Sequence, residues 1–221
     1  MADTDMDIMT ERPLLRAAGL LYLGIILLGV SSEALLRGGL IDWADGAATA
    51  AAIAEQATRF RLSLGFDLAM AACDVGLAVL FYRLLRRVDE TRALMAMVFR
   101  LMQAAVIAAG LMTLYAAQQA VAAGDDPLPL LARHAAGYDL GLFFFGINAL
   151  LMAGLLCRAG VPRLIAGGIG AAGLVYLAGS LTRFVWPDLN AAMQPAYLVP
   201  LVAETALMLW LLIASAKRPA A

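Results

Sequence analysis

The stretch from Phe60 to Arg87, FRLSLGFDLAMAACDVGLAVLFYRLLRR, is long and apolar enough to cross a bilayer as one helix, yet it carries two acids. Asp67 and Asp74 stand seven residues apart, two helical turns, so they share one face. A carboxylate in hydrocarbon costs about 2.5–3.5 kcal/mol on insertion scales. Two in one span therefore require partners, protons or a water-filled cavity, which is a demand for a bundle of helices around them.

The rest of the chain supplies that bundle. Of its 221 residues 63% are hydrophobic and only 15% charged, with a mean hydropathy of +0.83. Soluble domains run near a quarter charged, so the class is an integral membrane protein. A net charge of −1 gives no basic field for nucleic acid, and the few aromatics show no stacking pattern interleaved with Lys or Arg. Cys73 and Cys157 read as small buried apolar residues at different depths. Residues 1–13 read as a disordered acidic tail; they lack the cationic start and short apolar core of a cleaved signal peptide.

An all-α fold of six transmembrane helices is expected, in one domain over 14–217, with spans near 14–36, 58–86, 92–119, 130–158, 163–186 and 193–216. Residues 38–57 form a linker, with a short helix near the interface and Trp43 as an anchor. The basic residues at span ends are biased about two to one towards one side of the membrane, Arg83, Arg86, Arg87, Lys217 and Arg218 among them. That side is expected to be the cytoplasm, holding both termini, so the linker faces outward. Two short matches hint at internal repetition: AAGLLYLG at Ala17 with AAGLVYLAG at Ala171, and FDLA at Phe66 with YDLG at Tyr138.

Depth organises the polar residues. Asp67, Asp139 and Glu204 lie about eight to eleven residues below the outer ends of their helices, roughly 12–17 Å down. Glu33, Arg37, His134, Tyr138 and Arg183 fall near that level; Asp74, Gln103 and Asn148 lie deeper, and Arg100 nearer the cytoplasm. One outward-opening polar chamber would hold most of them. Its expected ligand-binding or proton-carrying residues are Glu33, Asp67, Asp74, His134, Tyr138, Asp139, Asn148, Arg183 and Glu204, with Asp74 or Glu204 carrying the proton if transport is proton-coupled. The competing reading is structural glue, in which Glu33 pairs with Arg37 on its own helix, and Asp67 or Asp139 with Arg183 or Arg133.

A catalytic site has thinner support. No cofactor is expected. The single histidine, His134, rules out a His-rich zinc cage, which leaves Asp67, Asp74, Asp139 and Glu204 with His134 as a carboxylate set for a metal-dependent hydrolase of a lipid-like substrate. No Gly-x-Ser-x-Gly elbow frames a serine. The glycines Gly167, Gly168, Gly170 and Gly173 read as close helix packing, and Pro195 and Pro200 as a kink freeing carbonyls above Glu204.

In order and spacing, RAAGLLYLG, SSEALLRGGLI, FDLAMAACDVGLAVLFYRLLRRV, FRLMQAAV, GYDLGLFFFGINALLMAGLL and VPRLIAGG resemble a bacterial polytopic membrane family, domain of unknown function 4386. The resemblance implies a six- or seven-helix protein of a bacterial inner membrane and brings no activity with it. The bilayer is the expected partner. The lead expectation is binding or transport of a small or amphipathic ligand; the alternatives are the hydrolase and a non-catalytic membrane scaffold.

Overall fold

The computed structural model describes residues 11–216. Most of the acidic tail, and Lys217 and Arg218 of the charge bias, lie outside them. Helix α1 starts at Arg12 rather than Leu14, because Pro13 sits in the first turn, where its missing N–H has no intrahelical partner to lose. It runs to Val30 and continues as a π-helical segment, Ser31–Arg37, and a 3-10 turn, Gly38–Leu40.

The remaining elements are α2 (Gly46–Glu55), α3 (Ala57–Leu85), α4 (Glu90–Ala123), α5 (Leu128–Arg158), α6 (Arg163–Val185), α7 (Asn190–Met193) and α8 (Leu198–Ala216). Six helical stretches among the described residues are long and apolar enough to cross a membrane. Their lipid-facing sides carry Leu20, Leu27, Leu68, Val75, Met112, Leu174 and Leu209 in exposed positions. A water-soluble bundle would bury such residues; here the helices turn them outward, as a multi-pass membrane protein does.

Each long helix packs on its neighbour in sequence, and α8 returns to pack on both α6 and α1. The result is a closed ring in the order α1, α3, α4, α5, α6, α8. At one end α2 is drawn into the bundle, its Ile53 packed with Leu40, Phe60, Leu111, Leu114 and Leu131. Asp45 caps α2 by accepting the Ala48 N–H at 2.9 Å. At the other end Asp89 caps α4 and receives Arg158 at 3.0 Å, which ties the α3–α4 turn to the foot of α5. The Arg92 backbone N–H, and after it Arg158, holds the Asp89 carboxyl below its ordinary range.

The prolines stand at the start of the last helix and not in its middle. Pro195 lies in a 3-10 turn, Gln194–Tyr197, before α8, and Pro200 is the third residue of α8, where N–H groups have no intrahelical acceptor. The glycine run divides. A Cβ on Gly173 would lie 2.9 Å from the Gly146 carbonyl oxygen and 3.2 Å from Ala149 Cβ, so α5 and α6 touch backbone to backbone there. Gly167 has nothing within 4 Å. Helix association in lipid depends on this kind of close packing, because lipid tails remove the hydrophobic drive between helices. Gly173→Ala is expected to cost about 1–3 kcal/mol by overpacking. Gly167→Ala should be neutral or slightly stabilising, and detergent-denaturation midpoints of the two variants give the comparison.

Candidate functional site

The interior of the ring holds three separate polar clusters and, at the α2 end, a cavity. The first cluster gathers around Arg37, which the π-helical turn delivers to the interior and which is only 2% exposed. Its guanidinium donates to Asp67 at 2.7 Å, to Ser63 at 3.2 Å and to Ser32 at 3.3 Å, and its remaining amino group meets Glu33. Asp67 thus pairs with Arg37 and not with Arg183 or Arg133. One guanidinium serves two carboxylates, of which Asp67 is buried and Glu33 is 69% exposed.

The second cluster lies deeper. Arg100 donates to one oxygen of Asp74 through Nε at 3.0 Å and Nη2 at 2.6 Å, with both side chains 3% exposed. Gln103 adds a long contact to the other oxygen at 3.4 Å, while its own Oε1 finds no partner. Arg100 also sits 4.9 Å from the Phe145 ring centroid and 5.4 Å from that of Tyr22, two cation–π contacts that fix it in place. A signal for this pair was present in the chain. Asp74 lies eleven residues before Leu85 and Arg100 ten after Glu90, so counting from the shared α3–α4 turn sets them at one depth.

The third cluster centres on Glu204 of α8. Its carboxylate accepts from Tyr22 on α1, at 3.2 Å, and from Tyr176 on α6. Sequence reasoning missed both tyrosines, although they occupy the same place in the matched strings AAGLLY and AAGLVY. Those strings lie on the two helices that flank α8. Glu204 forms no ion pair among the described residues. The expected level of acids is therefore broken into pieces, since Asp67, Asp139 and Glu204 each satisfy a different neighbour.

Above these clusters a cavity of about 320 Å³ opens at the α2 end. Five of the nine expected site residues line it: Glu33, His134, Tyr138, Asp139 and Arg183. Trp43, Gln194 and Tyr197 join them, supplied by the linker and the turn before α8. Asp67 stands one layer behind, held by Arg37. Asp74, Asn148 and Glu204 do not reach the cavity. Asn148 donates to the Ala96 carbonyl at 2.7 Å and borders water-sized gaps beside Arg100.

Within the cavity Arg183 donates through Nε to Asp139 at 2.5 Å, and Ser180 donates to the Asp139 backbone carbonyl at 2.7 Å. His134 Nδ1 lies 3.1 Å from the Gly110 carbonyl. A carbonyl only accepts, so Nδ1 carries the hydrogen, and in the neutral ring Nε2 is left as an acceptor. The Tyr138 hydroxyl has no hydrogen-bond partner among the described residues. Tyr197 fits because Gly179 has no side chain; a Cβ there would lie 2.1 Å from the phenol oxygen. Leu142, the innermost lining residue on α5, lies about 20 Å along that helix from Leu128.

The cavity end carries Glu33, Asp42, Asp45, Glu55, Asp67, Asp125, Asp126, Asp139 and Asp188 against Arg37, Arg59, Arg61, Arg133 and Arg183, a surplus of four acids. The opposite end is strongly basic. No three His, Cys, Asp or Glu side chains among the described residues converge on a point that could hold a metal ion. The carboxylate set of the hydrolase reading is taken apart by its own pairing: Asp67 with Arg37, Asp74 with Arg100, Asp139 with Arg183 and Glu204 with two tyrosines.

The chain matches no curated protein and no solved structure. The family model described as Domain of unknown function (DUF4386) matches residues 17–214, nearly the whole chain and all six long helices, and the protein belongs to that family.

Proposed function

We propose that this protein binds a small amphipathic molecule in the cavity at the α2 end of the ring. The observation that carries this reading is the cavity itself. About 320 Å³ is at the small end of ligand-site volumes, and its wall mixes apolar Ile41, Leu114, Leu131 and Leu142 with charged and aromatic groups. The basic residues Arg12, Arg16, Arg83, Arg86, Arg87, Arg92, Arg158 and Arg163 cluster at the opposite end, which supports placing that end in the cytoplasm and opening the cavity outward, in a bacterial inner membrane. Below the cavity the ring is filled by Arg100, Asp74, Phe145 and Tyr22. Binding from one side is therefore favoured over a continuous channel.

Ala135 lines the cavity on α5 and belongs to none of the polar clusters. Ala135→Trp is expected to fill the space without breaking an ion pair. A ligand at about 100 times its Kd stabilises the wild type by about 2.7 kcal/mol, and the variant should lose that gain while unfolding normally without ligand. Thermal unfolding against a panel of small amphiphiles provides the measurement. Equal stabilisation of wild type and variant by every active compound would place binding elsewhere.

A further inference from the structure

We infer that the ligand is a monocation, an ammonium group on a short apolar body, with Glu33 as its counter-ion. This rests on the cavity reading and adds the charge of the occupant.

Charge balance at the wall is the first observation. Arg183 is matched by Asp139. Arg37 is shared by Asp67 and Glu33, so one negative charge in that group has no cation of its own. The charge is not distributed evenly. Each acid meets Arg37 through one oxygen, but Asp67 lies buried against the guanidinium, whereas Glu33 is 69% exposed and lines the cavity. The surplus therefore faces the cavity at Glu33.

The second observation is aromatic. Trp43, Tyr138 and Tyr197 line the same cavity, and aromatic faces attract an alkylammonium while offering little to an anion. Third, the four-acid surplus of this end of the molecule draws cations towards the mouth and repels anions. An anion would also have to approach Glu33 and Asp139 across a low-dielectric wall, where like charges cost more than in water. A neutral amphipath would fill the volume but leave the Glu33 charge unmatched.

Hexyltrimethylammonium, 1-hexanol and hexanoate share a chain length and differ in charge. Titration calorimetry of each into the protein in phosphatidylcholine nanodiscs, with empty nanodiscs as the blank, measures the preference. The ammonium should bind about tenfold more tightly than the alcohol, with hexanoate weakest. Glu33→Gln should bring the ammonium down to the alcohol's affinity. Arg37 keeps its contact with Asp67 in that variant, so the fold is retained. In the wild type, added salt should weaken ammonium binding and leave the alcohol unchanged. Equal affinity for ammonium and alcohol, or an ammonium affinity that Glu33→Gln and salt do not move, overturns the inference and leaves the cavity reading standing. No binding of any probe, or binding that Ala135→Trp does not reduce, overturns both.

Discussion

Asp74→Asn is expected to destabilise the folded protein by about 3–5 kcal/mol, the range for removing one partner of a buried ion pair. The reason lies in the survivor. Arg100 is buried to within 3% exposure, and a guanidinium does not give up its proton in a protein, so the variant keeps an unmatched charge in the middle of the ring. Asp74→Leu combined with Arg100→Met should recover most of the loss, because an apolar pair carries no desolvation penalty. Glu204→Gln is the control: the amide oxygen still accepts from one tyrosine and the amide nitrogen can donate to the phenol oxygen of the other, so no charge is stranded and the cost should stay at about 1 kcal/mol. Unfolding in mixed SDS and mild detergent, followed by circular dichroism, ranks the variants. An Asp74→Asn midpoint level with that of Glu204→Gln would mean that Arg100 is neutralised by something other than Asp74.

Arg37→Met is expected to cost a similar amount, about 3–5 kcal/mol, by a different route. Arg37 joins α1 to α3 through Asp67 and Ser63 and holds Glu33 at the cavity mouth. Its removal strands the buried Asp67 carboxylate, while Ser32 and Ser63 keep the backbone carbonyls to which they donate. Adding Asp67→Asn should restore a large part of the stability, and the double-mutant cycle isolates the pair from the packing of the arginine stem. Failure of the second substitution to recover anything would assign the loss to packing around the π-helical turn.

Much of the architecture could be read in the chain. Hydrocarbon thickness sets a minimum span, and the six apolar runs meet it; the connections from α3 to α6 are short, and neighbours in sequence pack on one another. The period of the helix placed Asp67 and Asp74 on one face, and both are buried. The helix ends were less legible. Extension of α1 to Leu40 depends on a π-helical turn, and the late start of α8 on a series of short turns around Pro195.

The candidate site was legible in depth but not in partnership. Glu33, His134, Tyr138, Asp139 and Arg183 were expected at one level and share a cavity. Depth carries no azimuth, however. Two acids at one height can face each other or lie on opposite sides of a ring, and only the helix order tells which. That order puts Glu204 between α1 and α6, within reach of their tyrosines, and away from Asp67 and Asp139. It also turns Asp74 from an acid without an apparent partner into half of a tight pair with Arg100, while Glu204 accepts from two tyrosines and forms no ion pair among the described residues.

What the sequence determined by itself was the solvent, the number of spans and the rough height of the polar side chains, because bilayer thickness and helical rise are fixed lengths against which a chain can be counted; Glu204 nonetheless lies deeper than expected, and Arg100 level with Asp74. Only the tertiary structure decided which charges cancel, since ion pairing falls off over a few ångströms and depends on which faces the adjoining helices α1, α3, α4, α5 and α6 turn to one another. The same packing leaves the space beneath α2, whose wall includes Glu33, an acid that shares its arginine with Asp67.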